Sequence, residues 1–236
     1  MAGHPTDSAG WTPEGYRQFV AGIPEYEELH HAVVSASLGA PATRILDLGT
    51  GSGETAQRLL AAHPDAELTG LDLNPRMLET AAARLPSDRV RLMVGDIAGA
   101  LPDGPFGLVV SVLAVHHLTA PQKAALFRHV HGVLDGGGLF VLGDAMRTPA
   151  WQLHRRAATV AARLRQALRQ DGAWTASRDY WRGRRARPVS TEESDEAYDK
   201  PDTLRAQLRW MGDAGLAAEV AWRRHDYAVV RATKET

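Results

Sequence analysis

Three stretches of this chain carry residue types that could do chemistry. The first is Asp47-Leu-Gly-Thr-Gly-Ser-Gly53, in which Gly49, Gly51 and Gly53 alternate with Thr50 and Ser52. Glycine at alternate positions opens dihedrals closed to other residues and lets a ligand approach without meeting a Cβ. A helix starting just beyond it, through Thr55-Ala-Gln-Arg-Leu-Leu60, would turn unpaired N–H groups toward an anionic part of that ligand. The second is Asp72, nineteen residues past Gly53, where a carboxylate can accept from both hydroxyls of a ribose. Leu73 and Met77 follow it with the apolar shape to flank an adenine ring, although Met77 serves equally well as core. Asp96, with Ile97 beside it, offers an acceptor for an exocyclic amine and a backbone N–H for a ring nitrogen; the N-cap of a short helix is its competing role. The third stretch is His116-His117. Histidine exchanges a proton near neutral pH. Neighbours leaving a strand point to opposite sides, so one of the two, His116 by preference, is expected to face a substrate. Capping of the next loop is the alternative.

Those residues need elements to hold them, and the chain alternates accordingly. A buried strand over Ile45–Leu48 precedes the glycine turn. Ala66–Leu73 and Val90–Val94 read as the second and third strands, with a helix opened by Asn74-Pro75 between them. Phe106–Val115 is apolar throughout, as a central strand buried on both faces must be. A helix over Pro121–Leu134, closed by Asp135-Gly-Gly-Gly138, leads to a fifth strand at Leu139–Leu142. A helix over Leu204–Ala214 then precedes two short strands, Ala218–Arg224 and Tyr227–Ala232, close enough to form a hairpin. Strands placed at helix-length intervals predict an α/β, Rossmann-like, mostly parallel seven-stranded sheet with an antiparallel terminal hairpin. Open sheets of this kind bind ligands beyond the carboxyl ends of their strands, where all three stretches fall. A dinucleotide turn would need G-x-G-x-x-G, but counted from Gly49 the third slot is Glu54, which disfavours a dehydrogenase.

Around that core the expected divisions are an N-terminal helical cap over 1–40, the sheet core over 41–146, a helical and loop insertion over 147–200, and the final helix and hairpin over 201–236. The cap reads as two helices joined at Gly22-Ile-Pro24. The insertion carries ten arginines between Trp151 and Arg187, interleaved with Trp151, Trp174, Tyr180 and Trp181. Basic and aromatic residues mixed in this way could serve an RNA strand. The acidic Thr191–Asp202 stretch and a formal charge of −1 argue instead for a lid over a small organic acceptor, with Trp151, Trp174 and Trp181 as contacts. The chain holds no cysteine, which removes disulfides and thiolate ligands and suits the cytoplasm. No apolar run is long enough for a membrane span, and no metal site is expected. A homodimer is compatible with the pattern.

Four separated features, Asp47-Leu-Gly-Thr-Gly-Ser-Gly53, Asp72, Gly95-Asp96-Ile97 and Leu134-Asp-Gly-Gly-Gly138, together resemble the class I S-adenosylmethionine-dependent methyltransferases. Three further segments, Ile23-Pro24-Glu25-Tyr26, Ala114-Val-His-His-Leu118 and Gln207–Leu216, are similar to the group that includes the tRNA carboxymethyl-uridine pathway methyltransferases and many bacterial small-molecule methyltransferases. The resemblance implies S-adenosylmethionine (SAM) as cofactor, held by Asp47, Gly49, Thr50, Gly51, Gly53, Asp72, Leu73, Met77, Asp96 and Ile97. It adds Tyr26 through the Pro-x-Tyr segment, and Val112 as a backbone contact where the group has an asparagine-like residue. The arginine that holds the extra carboxylate of carboxy-S-adenosylmethionine is Trp210 here, which favours ordinary SAM. The implied activity is methyl transfer to oxygen or nitrogen of a small molecule. A tRNA-modification enzyme on the same fold and a non-catalytic cofactor-binding regulatory subunit are the alternatives.

Overall fold

A computed structural model of the chain describes residues 12–21, 23, 25–147 and 199–234. Helices α1 (Pro13–Ala21) and α2 (Tyr26–Ser37) precede β1 (Arg44–Leu48), α3 (Glu54–Ala62), β2 (Glu67–Asp72), α4 (Pro75–Arg84) and β3 (Val90–Val94). Next come β4 (Phe106–Val112), a 3-10 turn (Val115–His117), α5 (Ala120–Val133) and β5 (Leu134–Ala145). The chain closes with α6 (Leu204–Asp213), β6 (Leu216–Arg224) and β7 (Tyr227–Lys234). The strands form one seven-stranded sheet in the order β3-β2-β1-β4-β5-β7-β6. The first five run parallel, and β7 lies antiparallel to both β5 and β6. This is the architecture expected from the alternation. Among the described residues no helix is long and apolar enough to cross a membrane.

Strand periodicity splits the core into two layers. Ile45, Leu108, Val110 and Val141 join Leu29 and Val33 of α2 and Leu59 of α3 on one face. Leu46, Leu48, Val109, Phe140 and Leu142 join Phe127 and Val130 of α5 and Met211 of α6 on the other. Every residue of β4 is buried, as its composition demands. Phe106 and Val109 nevertheless share a face, because the ladder to β5 shifts register between Phe106 and Leu108. At Gly107, inside that irregularity, an added Cβ would come 1.7 Å from the carbonyl oxygen of Pro41. The expected cap helix α2 is also a core element: Leu29 and Val33 are fully buried, and a Cβ on Gly143 of β5 would meet Val33 at 2.5 Å.

Local signals set the element ends. Asn74 caps α4 by accepting from Arg76 N–H at 3.0 Å, with Pro75 in the first turn. Thr119 N–H donates to the Gln122 side chain at 2.9 Å at the start of α5. Two strands depart from expectation. The fourth ends at Val112, where Leu113 takes φ 53°, so it does not extend to Val115. The fifth begins at Leu134, because the Asp135-to-Gly138 stretch, expected only to close the preceding helix, is taken up in the strand.

Beyond Arg147 the described chain resumes at Asp199, close to where it stopped. Arg147 N–H donates to the Asp202 carbonyl at 2.8 Å, and Lys200 N–H to the His116 carbonyl at 2.7 Å. Lys123, fully buried on α5, pairs with the Asp202 carboxylate at 2.7 Å and donates to the Lys200 carbonyl.

Candidate active site

The carboxyl ends of β1, β2, β4 and β5 surround one region, and the glycine turn after β1 is its floor. Gly49, Gly51 and Gly53 all have positive φ (75°, 56° and 81°). At Gly49 two constraints coincide, since a Cβ would also lie 2.4 Å from that of Ala114. Gly53, left-handed, occupies the N-cap of α3 with no side-chain cap bond, so the positive end of that helix stays open. Thr50 donates to the Asp47 carbonyl at 2.9 Å and pins the turn to its strand.

Asp72 bridges two loops. One carboxylate oxygen accepts from Gly51 N–H at 2.8 Å, the other from Asn74 N–H at 2.8 Å. Burial raises its pKa, and those two N–H groups oppose the rise. Each oxygen keeps lone-pair capacity for a ligand hydroxyl. Met77 is buried and would touch a Cβ on Gly51 at 3.6 Å, whereas Leu73 is 47% exposed. Asp96 is exposed and accepts from Ala98 N–H at 2.8 Å, with buried Ile97 between them. It closes a turn that no helix follows, so the competing N-cap role is not the one it takes. Asp47 is 1% exposed, and one of its carboxylate oxygens has no hydrogen-bond partner among the described residues. Burial, aided by the nearby Asp72 charge, pushes it up to about 7.

On the α2 side a pocket lies over the turn, lined by Tyr26, His30, Thr50, Glu54 and Val112 among others. The Tyr26 hydroxyl donates to Glu54 at 3.1 Å, and Arg58 ties Glu54 to Glu27. Burial, with Tyr16 and Glu54 nearby, raises the Tyr26 hydroxyl far above its ordinary value. Burial pushes Glu54 up, but its bonds to Arg58 and Tyr26 win and leave its pKa lowered.

At the far wall stand the two histidines. His116 Nδ1 lies 2.5 Å from one oxygen of Asp144, and the His116 backbone N–H donates to the other at 2.8 Å. Asp144 is fully buried at the end of β5 and also accepts from Ala145 N–H. Such a carboxylate holds the proton of the imidazole on Nδ1 and leaves Nε2 as a base. His117 sits with its ring centroid 4.0 Å from that of His116. Its Nδ1 is 3.3 Å from Asp199, and His116 Nε2 is 3.7 Å from the same oxygen. The two rings therefore converge on one carboxylate and do not point to opposite sides. The physical reason is that β4 has ended, and a 3-10 turn does not alternate its side chains. Burial and the neighbouring His116 lower the pKa of His117, with Asp199 opposing. The three groups lie within 4.8 Å of one another, a spacing that a divalent ion could bridge.

The turn residues, Asp72, Met77 and the histidine pair thus gather around one region. Trp151, Trp174 and Trp181 lie outside the described residues. Asp144 escaped the sequence reading although the signal was there: an acidic residue at the end of the strand beside β4. Glu54 was noticed only as a missing glycine, and His30 not at all.

A family model described as methyltransferase domain matches residues 45–138. The chain is 32% identical to trans-aconitate 2-methyltransferase of Methylobacterium radiotolerans over 72% of this chain and 59% of that one. It is 37% identical to the protein of the same name from Methylobacterium nodulans, over 55% and 50%. The chain therefore spans between half and three fifths of these relatives' length. Human N-acetylserotonin methyltransferase in complex with SAM superposes with a TM-score of 0.62 at 13% identity, over 98% of this chain and 58% of that one.

Proposed function

We propose that this chain is a class I S-adenosylmethionine-dependent methyltransferase and that it moves the sulfonium methyl group of SAM to an oxygen or nitrogen of a small-molecule acceptor. The glycine turn would hold SAM, with Asp72 accepting from its ribose hydroxyls, and the acceptor would enter from the histidine side. Transfer is an in-line displacement. Bound there, SAM would supply an electrophilic methyl carbon, which the acceptor's lone pair would take as the carbon–sulfur bond breaks and the sulfur leaves as a neutral thioether. Because a sulfonium leaves readily, the protein's main contribution is alignment. An acceptor hydroxyl or ammonium must also lose a proton, and His116 Nε2 takes it, with Asp144 stabilising the imidazolium that forms.

The observation that carries this reading is the buried Asp144–His116 contact at 2.5 Å beside the glycine turn. The relatives support the small-molecule class, since trans-aconitate is the substrate in their name. Incubation with methyl-labelled SAM and an extract of the source cells tests it. Label should enter the low-molecular-weight fraction. On the isolated acceptor, His116→Ala and Asp144→Asn should each lower turnover by about 10²-fold or more near neutral pH. Asn can donate to Nδ1 and so force the proton onto Nε2. Label confined to RNA would overturn the acceptor class, and full activity of both variants would remove the base.

A further inference from the structure

We propose that His30 anchors the α-carboxylate of SAM, donating from Nε2 inside the pocket between α2 and the glycine turn. The proposal rests on the methyltransferase reading above. His30 sits one turn after Tyr26 on α2 and is 2% exposed. Its Nδ1 lies 3.4 Å from the Thr55 hydroxyl at the start of α3. The Tyr26 ring stands edge-on at 4.4 Å and holds the imidazole plane. Its Nε2 is buried and has no hydrogen-bond partner among the described residues. Burial, with the Arg58 charge adding, pushes His30 down to about 4, so the ring is neutral at physiological pH. We assign the Thr55 hydroxyl as donor to Nδ1, which puts the proton of the neutral ring on Nε2. The pocket therefore contains a buried donor waiting for an acceptor, which is costly unless a ligand supplies one.

The walls say which part of the cofactor that is. They come from Tyr16 of α1, from α2, the glycine turn, the start of α3 and Val112 at the end of β4. Asp72, Leu73, Met77 and Asp96 are not among them, so the adenosine lies elsewhere and the methionine tail lies here. That tail ends in an ammonium and a carboxylate. The open N-terminus of α3 favours the anion. Glu54, the acid in this wall, is already engaged by Tyr26 and Arg58. Asp47 is not one of these walls, but it lies buried two residues before Gly49 with one carboxylate oxygen unpartnered among the described residues, an acceptor for the ammonium.

The test is calorimetry with SAM, S-adenosylhomocysteine and 5′-methylthioadenosine, which keeps the adenosine and sulfur but has neither carboxylate nor ammonium. His30→Asn places an amide near Nδ1, where it still meets Thr55 but leaves the pocket without its donor. His30→Gln places the amide near Nε2. The Asn variant should bind SAM and S-adenosylhomocysteine about tenfold more weakly, and the Gln variant should stay within about threefold of the parent. Methylthioadenosine affinity should not change in either. Thr55→Val, nearly equal in volume, is the second variant if His30→Asn does not fold; it should weaken S-adenosylhomocysteine selectively. Equal losses for all three ligands, or an unchanged affinity for S-adenosylhomocysteine, would overturn the anchor. If the parent binds none of the three, the methyltransferase reading itself fails.

Discussion

Asp47 shows what a single side chain costs this fold. It lies on the α2–α3 face of β1, fully buried, and holds its proton until about pH 7, against 3.8 when unfolded. The folded state thus binds that proton more tightly than the unfolded state. The stability this confers is complete below about pH 4 and is lost as pH rises through 7. Asp47→Asn should remove the slope. Without ligand, the variant should melt above the parent at pH 8, and the gap should shrink by pH 5. A pH-independent gap in thermal denaturation would show that Asp47 does not titrate in this window. Asp47 and Asp72 were legible because the turn motif and the nineteen-residue interval fix their places on consecutive strands. The partnership of His116 with Asp144 was not. Those two residues are 28 positions apart on different segments, and their contact depends on the register of β4 against β5.

The turns between elements decided the errors at the next scale. The fourth strand read as apolar through Val115 because composition cannot see the left-handed Leu113 that ends it. With that strand shortened, the histidine pair moved onto a 3-10 turn and both rings came to Asp199. The glycine run before the fifth strand read as the end of the preceding helix, yet pairing of Leu134 with Phe106 draws it into the sheet. β4 carries its own test. Gly107→Ala would drive a Cβ into the Pro41 carbonyl oxygen, a backbone atom that cannot swing aside. Overpacking of this kind costs about 1–3 kcal/mol or more, and the register shift beside Phe106 gives little room for relief. Urea unfolding should show at least that loss, while Gly132→Ala, on α5 with nothing within 4 Å, should be neutral or stabilising. Equal stability of the two variants would mean that β4 can slide.

For the molecule as a whole, the sheet was readable because alternation, short connections and the handedness of crossovers leave few topologies. The acceptor was not readable, because cofactor residues recur at fixed intervals along the sheet while acceptor contacts obey no interval. The chain leaves and rejoins the core at one place. Arg147 and Asp202 are joined by a backbone hydrogen bond, and buried Lys123 clamps Asp202 and Lys200 from beneath. Whatever runs between residues 147 and 199 starts and finishes at one closed gate. Loop-closure cost grows only slowly with length, about 0.6 kcal/mol per doubling. Replacing 148–198 by a short glycine-serine linker should therefore keep SAM affinity within a few-fold by calorimetry and abolish methylation of the acceptor. Loss of SAM binding would show that the segment is part of the cofactor site. With both ends tied at one place, a change in the length of the intervening segment would leave the strands and their register where they are.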